Sequence, residues 1–100
     1  MLRTRKISKP AAIRAAKSVA NFLRRSGARR VVLFGSLVSD SYLPGHSDID
    51  LFFEGVPRSK ESLVTGKTLL AFPELPLDLR PSGFCEDQFR KEIEESGALI

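Results

Sequence analysis

The stretch GSLVSDSYLPGHSDIDLFF, residues 35–53, decides how this chain of 100 residues is read. It opens with Gly35-Ser36 directly after an apolar run, VVLF (Val31 to Phe34), and closes on Asp48-Ile49-Asp50 at the head of a second one. Along an extended strand the side chains repeat every two residues, so Asp48 and Asp50 point the same way, about 6–7 Å apart at Cα. Two carboxylates that close repel each other unless something positive neutralises them. Mg²⁺ takes hard oxygen ligands of this kind, commonly one or two carboxylates together with phosphate oxygens and waters. Gly35 lets the backbone turn sharply and approach a ligand. The Ser36 hydroxyl and the N–H groups behind it then offer a place for phosphate oxygens. An anion cradle followed by a cation clamp suits a nucleoside triphosphate carried with Mg²⁺.

Further along, PLDLR (Pro76 to Arg80) alternates again, with Leu77 and Leu79 on one face and Asp78 and Arg80 on the other. Asp78 is in phase to supply a third carboxylate. Three acidic side chains on one sheet face are the arrangement a two-metal phosphoryl or nucleotidyl transfer site uses.

The surroundings read as alternating helices and strands. Ser8 as a cap and Pro10 in the first turn start a helix. Ile13, Ala16, Val19, Ala20 and Leu23 form its apolar stripe, and Ser26-Gly27 stops it. VVLF suits a strand covered on both faces. Residues 36–42 read as a short helix and Pro44-Gly45 as a turn. In DIDLFFE, Asp48, Asp50 and Phe52 share one face, and Ile49, Leu51 and Phe53 the other. RSKESLVTGKTLLAF predicts a helix with Ser59 as N-cap and Leu63, Lys67 and Leu70 on one side, stopped by Pro73. A last helix over residues 86–95 turns Phe89 and Ile93 inward, and ALI follows as an apolar tail. The expected fold is α/β (α+β), a small three-stranded mixed sheet flanked by helices, in one domain over residues 1–100.

Composition narrows the function classes. An apolar content of 42% and a charged content of 28% suit a globular protein. No apolar run approaches the roughly 18 residues of a membrane span, and MLRTRKISKP lacks the apolar core of a secretory signal. The single cysteine, Cys85, excludes an internal disulfide and fits a thiol in a reducing cytoplasm. The net charge of +4 is unevenly spread: residues 1–30 hold ten of the sixteen basic residues and none of the acidic ones. Such a basic third suits nucleic acid, an acidic protein or nucleotide phosphates, and equally a solvated helix face.

Taken together, Gly35-Ser36, SDIDLFF (Ser47 to Phe53) and LDLR (Leu77 to Arg80) resemble the signature of the nucleotidyltransferase superfamily that includes DNA polymerase β. They are most similar to its minimal nucleotidyltransferases, the MNT group. The spacer between Ser36 and Asp48 has eleven residues, one more than is usual in the group. It carries Val38-Ser39-Asp40 where the group often has a small residue, Arg and Gly. The resemblance implies the polymerase β-like nucleotidyltransferase fold. It also implies that Gly35, Ser36 and Ser47 bind nucleotide while Asp48, Asp50 and Asp78 act as catalytic and metal-binding residues, with two Mg²⁺ ions. The implied reaction moves AMP from ATP onto a partner protein. Many members of this size resemble antitoxins of HEPN-domain ribonuclease toxins. Two alternatives stay open: a catalytically impaired protein of this fold that neutralises its partner by binding, or a basic RNA-binding module acting through residues 1–30.

The remaining polar residues read plainly. His46 is expected in an exposed loop and Tyr42 in packing. Arg80 is expected to pair with Asp78 or a phosphate, and Glu92, Glu94 and Glu95 to form a solvated helix face.

Overall fold

Ser8 opens the first helix as expected, its Oγ accepting from the Ala11 N–H at 3.3 Å. The computed structural model describes residues 6–100, and in it this helix, α1, spans Lys9–Arg25. Ala12, Ala16, Val19, Ala20 and Leu23 are its buried face, while Ile13 sits at the stripe's edge. Burying Val19 and Leu23 contributes about 1.5–3 kcal/mol each. Ser26 caps the end, and Gly27 leaves it with φ at +119°.

Strand β1 (Arg30–Phe34) follows, then the one-turn helix α2 (Ser36–Ser39) and strand β2 (Ile49–Glu54). After a 3-10 turn (Arg58–Lys60) come helix α3 (Glu61–Ala71) and strand β3 (Leu77–Pro81). A second 3-10 turn (Ser82–Phe84), helix α4 (Asp87–Ser96) and strand β4 (Ala98–Leu99) complete the described chain. The mixed sheet has four strands, in the order β3-β2-β1-β4, where three were expected. The extra one is the apolar tail: Leu99 and Ala98 pair antiparallel with Val32 and Leu33, and the Ile100 N–H donates to the Val31 carbonyl at 3.0 Å. An extended tail beside an unpaired strand edge finds its backbone partners there, a non-local gain that two residues of sequence do not signal.

Alternation sorts β2 as the sequence requires. Ile49, Leu51 and Phe53 are fully buried in the main core, with α1, Val31, Leu33, Val64 and Leu79. Phe52 turns to the opposite face, where it meets Val32 and Ile93, with Phe34, Cys85 and Phe89 packed around them. Asp50 and Asp78 share this second face, near its end.

Three local expectations are corrected. Helix α2 stops at Ser39 rather than continuing to Tyr42, because Asp40 adopts a left-handed conformation (φ +66°). Ser59 lies inside the 3-10 turn and does not cap α3, whose N-cap position is Lys60. The Leu63–Lys67–Leu70 side of α3 faces solvent, with Leu63 63% and Leu70 82% exposed, and the buried side is Glu61, Val64 and Thr68. A buried threonine is tolerated because its hydroxyl donates to the Val64 carbonyl one turn back, at 2.8 Å. Tyr42 packs as expected, 9% exposed, its hydroxyl donating to the Ile7 carbonyl at 2.9 Å.

Candidate active site

The site is built where three chain segments meet at one end of the sheet. Strands β2 and β3 run parallel with Asp50 opposite Asp78, and β1 ends with Phe34 opposite Asp50 on the other side. Asp48 sits in the loop just ahead of β2 instead of in the strand, yet still reaches its companions. One carboxylate oxygen from each of Asp48, Asp50 and Asp78 lies within 4.8 Å of the others. Asp48 is exposed, and the other two are partly buried.

Asp50 carries the electrostatic cost of this convergence. Burial, then the neighbouring charges of Asp78 and Asp48, push its carboxyl from an ordinary 3.8 up to about 7. Loss of water and repulsion by like charge both favour its neutral form. A divalent cation would reverse that preference, since it turns mutual repulsion into shared ligation.

Gly35 is the wall of this cluster. Its backbone lies at φ +77°, and a side-chain methyl placed there would run into Asp50 Oδ2. Both facts exclude every other residue without strain. Immediately after it, the Ser36 Oγ is buried and has no hydrogen-bond partner. A buried unsatisfied hydroxyl calls for an explanation, and an incoming phosphate oxygen beside Gly35 supplies one. The hard oxygen donors and this orphaned hydroxyl fit the group that the spacing of the motif implies: Asp48, Asp50 and Asp78 could hold a divalent ion, and Gly35 and Ser36 the phosphates. Ser47 has a structural contact as well. Its Oγ accepts from the Leu43 N–H at 3.0 Å, while the His46 and Ser47 N–H groups donate to the Leu43 carbonyl. It closes the turn that presents Asp48.

One pairing was among the expectations, and two features beside it were not: the aromatic support under Arg80 and a buried glutamate. Arg80 grips Asp78 with both arms of a fork, Nε to Oδ1 at 3.0 Å and Nη2 to Oδ2 at 3.2 Å, one of the two pairings expected of it. Its guanidinium lies 5.5 Å over the Phe89 ring, and Phe89 meets Phe34 edge-on at 5.4 Å. The second feature is Glu61, only 2% exposed, one oxygen accepting from the Gly83 N–H at 2.9 Å and the other without a partner. A glutamate in the first turn of a helix reads as a surface residue, and no local signal marks it for burial.

A hollow of about 460 Å³ stands apart from the carboxylate site. It lies between α3 and the β3 edge, lined by Thr65, Gly66, Leu69, Leu79, Arg80 and Phe84 among others. A smaller one of about 340 Å³ adjoins Gly35, Val38, Ser39 and Ser96. The candidate site is placed at the carboxylates, and Arg80, which pairs with Asp78, also lines the larger hollow. Asp40, in the spacer, is held by Lys9 at 2.7 Å. His46 is exposed, as expected. Of the basic residues in the first third, Arg3 and Arg5 lie outside the described residues. Arg14, Lys17, Arg24, Arg25 and Arg29 are exposed, whereas Arg30 pairs with Glu54 and Glu94 at 2.9 and 2.8 Å. Glu94 is thus tied to the sheet instead of standing free on a solvated face. Among the described residues no helix is long and apolar enough to cross a membrane.

Helices flanking a mixed sheet with three acids at one end define a nucleotidyltransferase-type fold, and comparison with known proteins agrees. Residues 16–100 match the nucleotidyltransferase domain family, and the chain belongs to it. No curated protein matches the chain. Among solved structures, it is similar to one of the toxin–antitoxin pair MntA–HpeT in a form with two aspartates replaced by glutamates. That likeness has a TM-score of 0.61 at 15% identity, covering 84% of this chain and 70% of the other. A second similar structure is a tri-AMPylated HEPN toxin from Shewanella oneidensis in complex with MNT antitoxin (TM-score 0.59, 16% identity, 88% and 70% covered). A third is a candidate nucleotidyltransferase from Sulfolobus solfataricus (TM-score 0.56, 19% identity, 88% and 80% covered). At these identities the likeness is one of fold.

Proposed function

We propose that this protein is a Mg²⁺-dependent nucleotidyltransferase that moves AMP from ATP onto a hydroxyl group of a partner protein, as the antitoxin of a HEPN-type ribonuclease toxin. The observation that carries the reading is the convergence of Asp48, Asp50 and Asp78 beside a glycine that admits no side chain. The partner assignment rests on the solved relatives, two of which are toxin–antitoxin structures, one with an AMPylated toxin. The two aspartates altered in the MntA–HpeT form stand two positions apart, the spacing of Asp48 and Asp50.

Each residue has a part in that reaction. Gly35 and Ser36 hold the triphosphate, the orphaned Ser36 hydroxyl donating to a phosphate oxygen. Asp48 and Asp50 orient the metal-bearing end of the nucleotide, and Asp50 gives up its proton as it does so. Divalent ions held by the three carboxylates would supply the positive charge that a phosphoryl centre under attack needs. Asp78 accepts the proton of the acceptor hydroxyl. The acceptor oxygen bonds to the α-phosphorus, the bond from that phosphorus to the bridging oxygen breaks, and pyrophosphate leaves.

The test is incubation with labelled ATP, Mg²⁺ and the product of the adjacent gene. Label transferred to that product, and lost with Asp48→Ala, supports the reading. A second reading, neutralisation by binding alone, is favoured by the spacer, which offers Asp40 and no cation to the phosphates. Under it, Asp48→Ala still silences the partner and no label appears. RNA contact through the exposed basic face of α1 would appear as binding that weakens steeply with salt.

A further inference from the structure

The three carboxylates need a positive partner even before any ion arrives, and the fold provides one. Among the described residues, Arg80 is the only cation within ion-pair distance of the triad. It engages both oxygens of Asp78, the geometry in which an arginine–carboxylate pair is strongest. The guanidinium is not buried in place: the side chain is 49% exposed and rests on the Phe89 ring, and among the described residues Nη1 has no hydrogen-bond partner. Phe89 is itself fixed by Phe34, the residue before Gly35. Arg80 therefore has an aromatic shelf that holds it near Asp78 without requiring it to stay there.

We propose that Arg80 is a positioning residue that acts as an internal cation at Asp78 and competes with a divalent ion for that carboxylate. This rests on the metal-dependent reading of the triad. In the ion-free protein the fork neutralises part of the clustered charge and keeps Asp78 aimed along the sheet. A metal ion must either take Asp78 from the fork or share it with a second positive group, and each alternative lowers its affinity. Once released, Arg80 stays on Phe89 at the mouth of the hollow between α3 and β3. The site thus resists a bare ion and yields to one that arrives with an anionic substrate, whose phosphate gives the guanidinium a new partner.

The test titrates Mn²⁺ alone, without nucleotide, into the whole protein and its Arg80→Gln and Arg80→Lys variants, with calorimetry and Mn²⁺ magnetic resonance as readouts. Competition predicts that Arg80→Gln binds Mn²⁺ about tenfold more tightly, with Arg80→Lys between it and the parent. It also predicts a lower Tm for Arg80→Gln without metal, with the gap closing at saturating Mn²⁺. A residue that merely supported the fold would weaken the site on removal, so unchanged or weaker Mn²⁺ binding by Arg80→Gln overturns the inference while leaving the metal site standing. Binding by the variant alone would support it outright. Absence of binding in all three proteins would overturn the metal-dependent reading, and this inference with it.

Discussion

Asp50 and Asp78 face each other across adjacent parallel strands, in register, with Gly35 pressed against the first and Arg80 clasping the second. Asp78 has a cationic partner in Arg80, but among the described residues Asp50 has none. Burial and the neighbouring carboxylates penalise the ionisation of Asp50, and the consequences can be measured.

Asp50→Asn should stabilise the protein at neutral pH. The folded protein holds the Asp50 carboxyl near 7 rather than the ordinary 3.8, so it binds a proton that the unfolded chain has lost. Stability from this group is complete below about pH 4 and falls as the pH rises toward 7. The asparagine variant should match the parent in urea denaturation at pH 4 and exceed it by about 1–3 kcal/mol at pH 8. Equal stability at both pH values would show that Asp50 titrates normally.

Gly35→Ala should lose stability and ligand affinity together. The residue lies at φ +77°, and its methyl group would strike Asp50 Oδ2. Backbone strain of this kind costs about 1–3 kcal/mol. Chemical denaturation should register the loss, and a fluorescent ATP analogue should bind the variant at least tenfold more weakly. A variant as stable as the parent would mean that the turn relaxes.

Helix α3 distinguishes its two sides sharply. Val64→Ala, 5% exposed in the main core, should cost about 1–3 kcal/mol. Leu70→Gln, at 82% exposure, should change stability by less than about 0.5 kcal/mol. Thermal unfolding of the two variants side by side decides it, and comparable losses would contradict the observed rotation of the helix.

Arg30 joins Glu54 of β2 to Glu94 of α4, and both partners hold its guanidinium firmly protonated. All three groups keep some exposure, so the network is worth little despite its short distances. Arg30→Ala should cost about 1 kcal/mol at low salt and less in 1 M NaCl. A loss that salt leaves unchanged would point to packing of the arginine stem instead.

The sequence carried the site's outline further than its setting. Period-two alternation placed Asp50 with Phe52, and Asp78 with Arg80, because a strand with one face in a core leaves its side chains no other choice. The same rule put Asp48 in the strand, where the chain in fact has not yet begun to pair. Helix α3 was misread because its leucines are the exposed residues, while a threonine and a glutamate, each bonded to a backbone group, occupy the interior beside Val64. The tail strand depends on a contact between distant segments, about which local pattern is silent, whereas the Arg80–Asp78 pair spans two residues of one strand and was among the expectations. Ser47, which the resemblance names as a nucleotide ligand, also accepts from the Leu43 N–H in its own turn.

Lys9 holds Asp40, and Tyr42 reaches the Ile7 carbonyl, so the loop leading into Asp48 is moored at two points to residues that precede or begin α1. Both moorings lie upstream of the span matched to the family, which starts at residue 16. Anyone trimming the gene to that conventional boundary would keep all three acids and the glycine, yet cut the loop adrift.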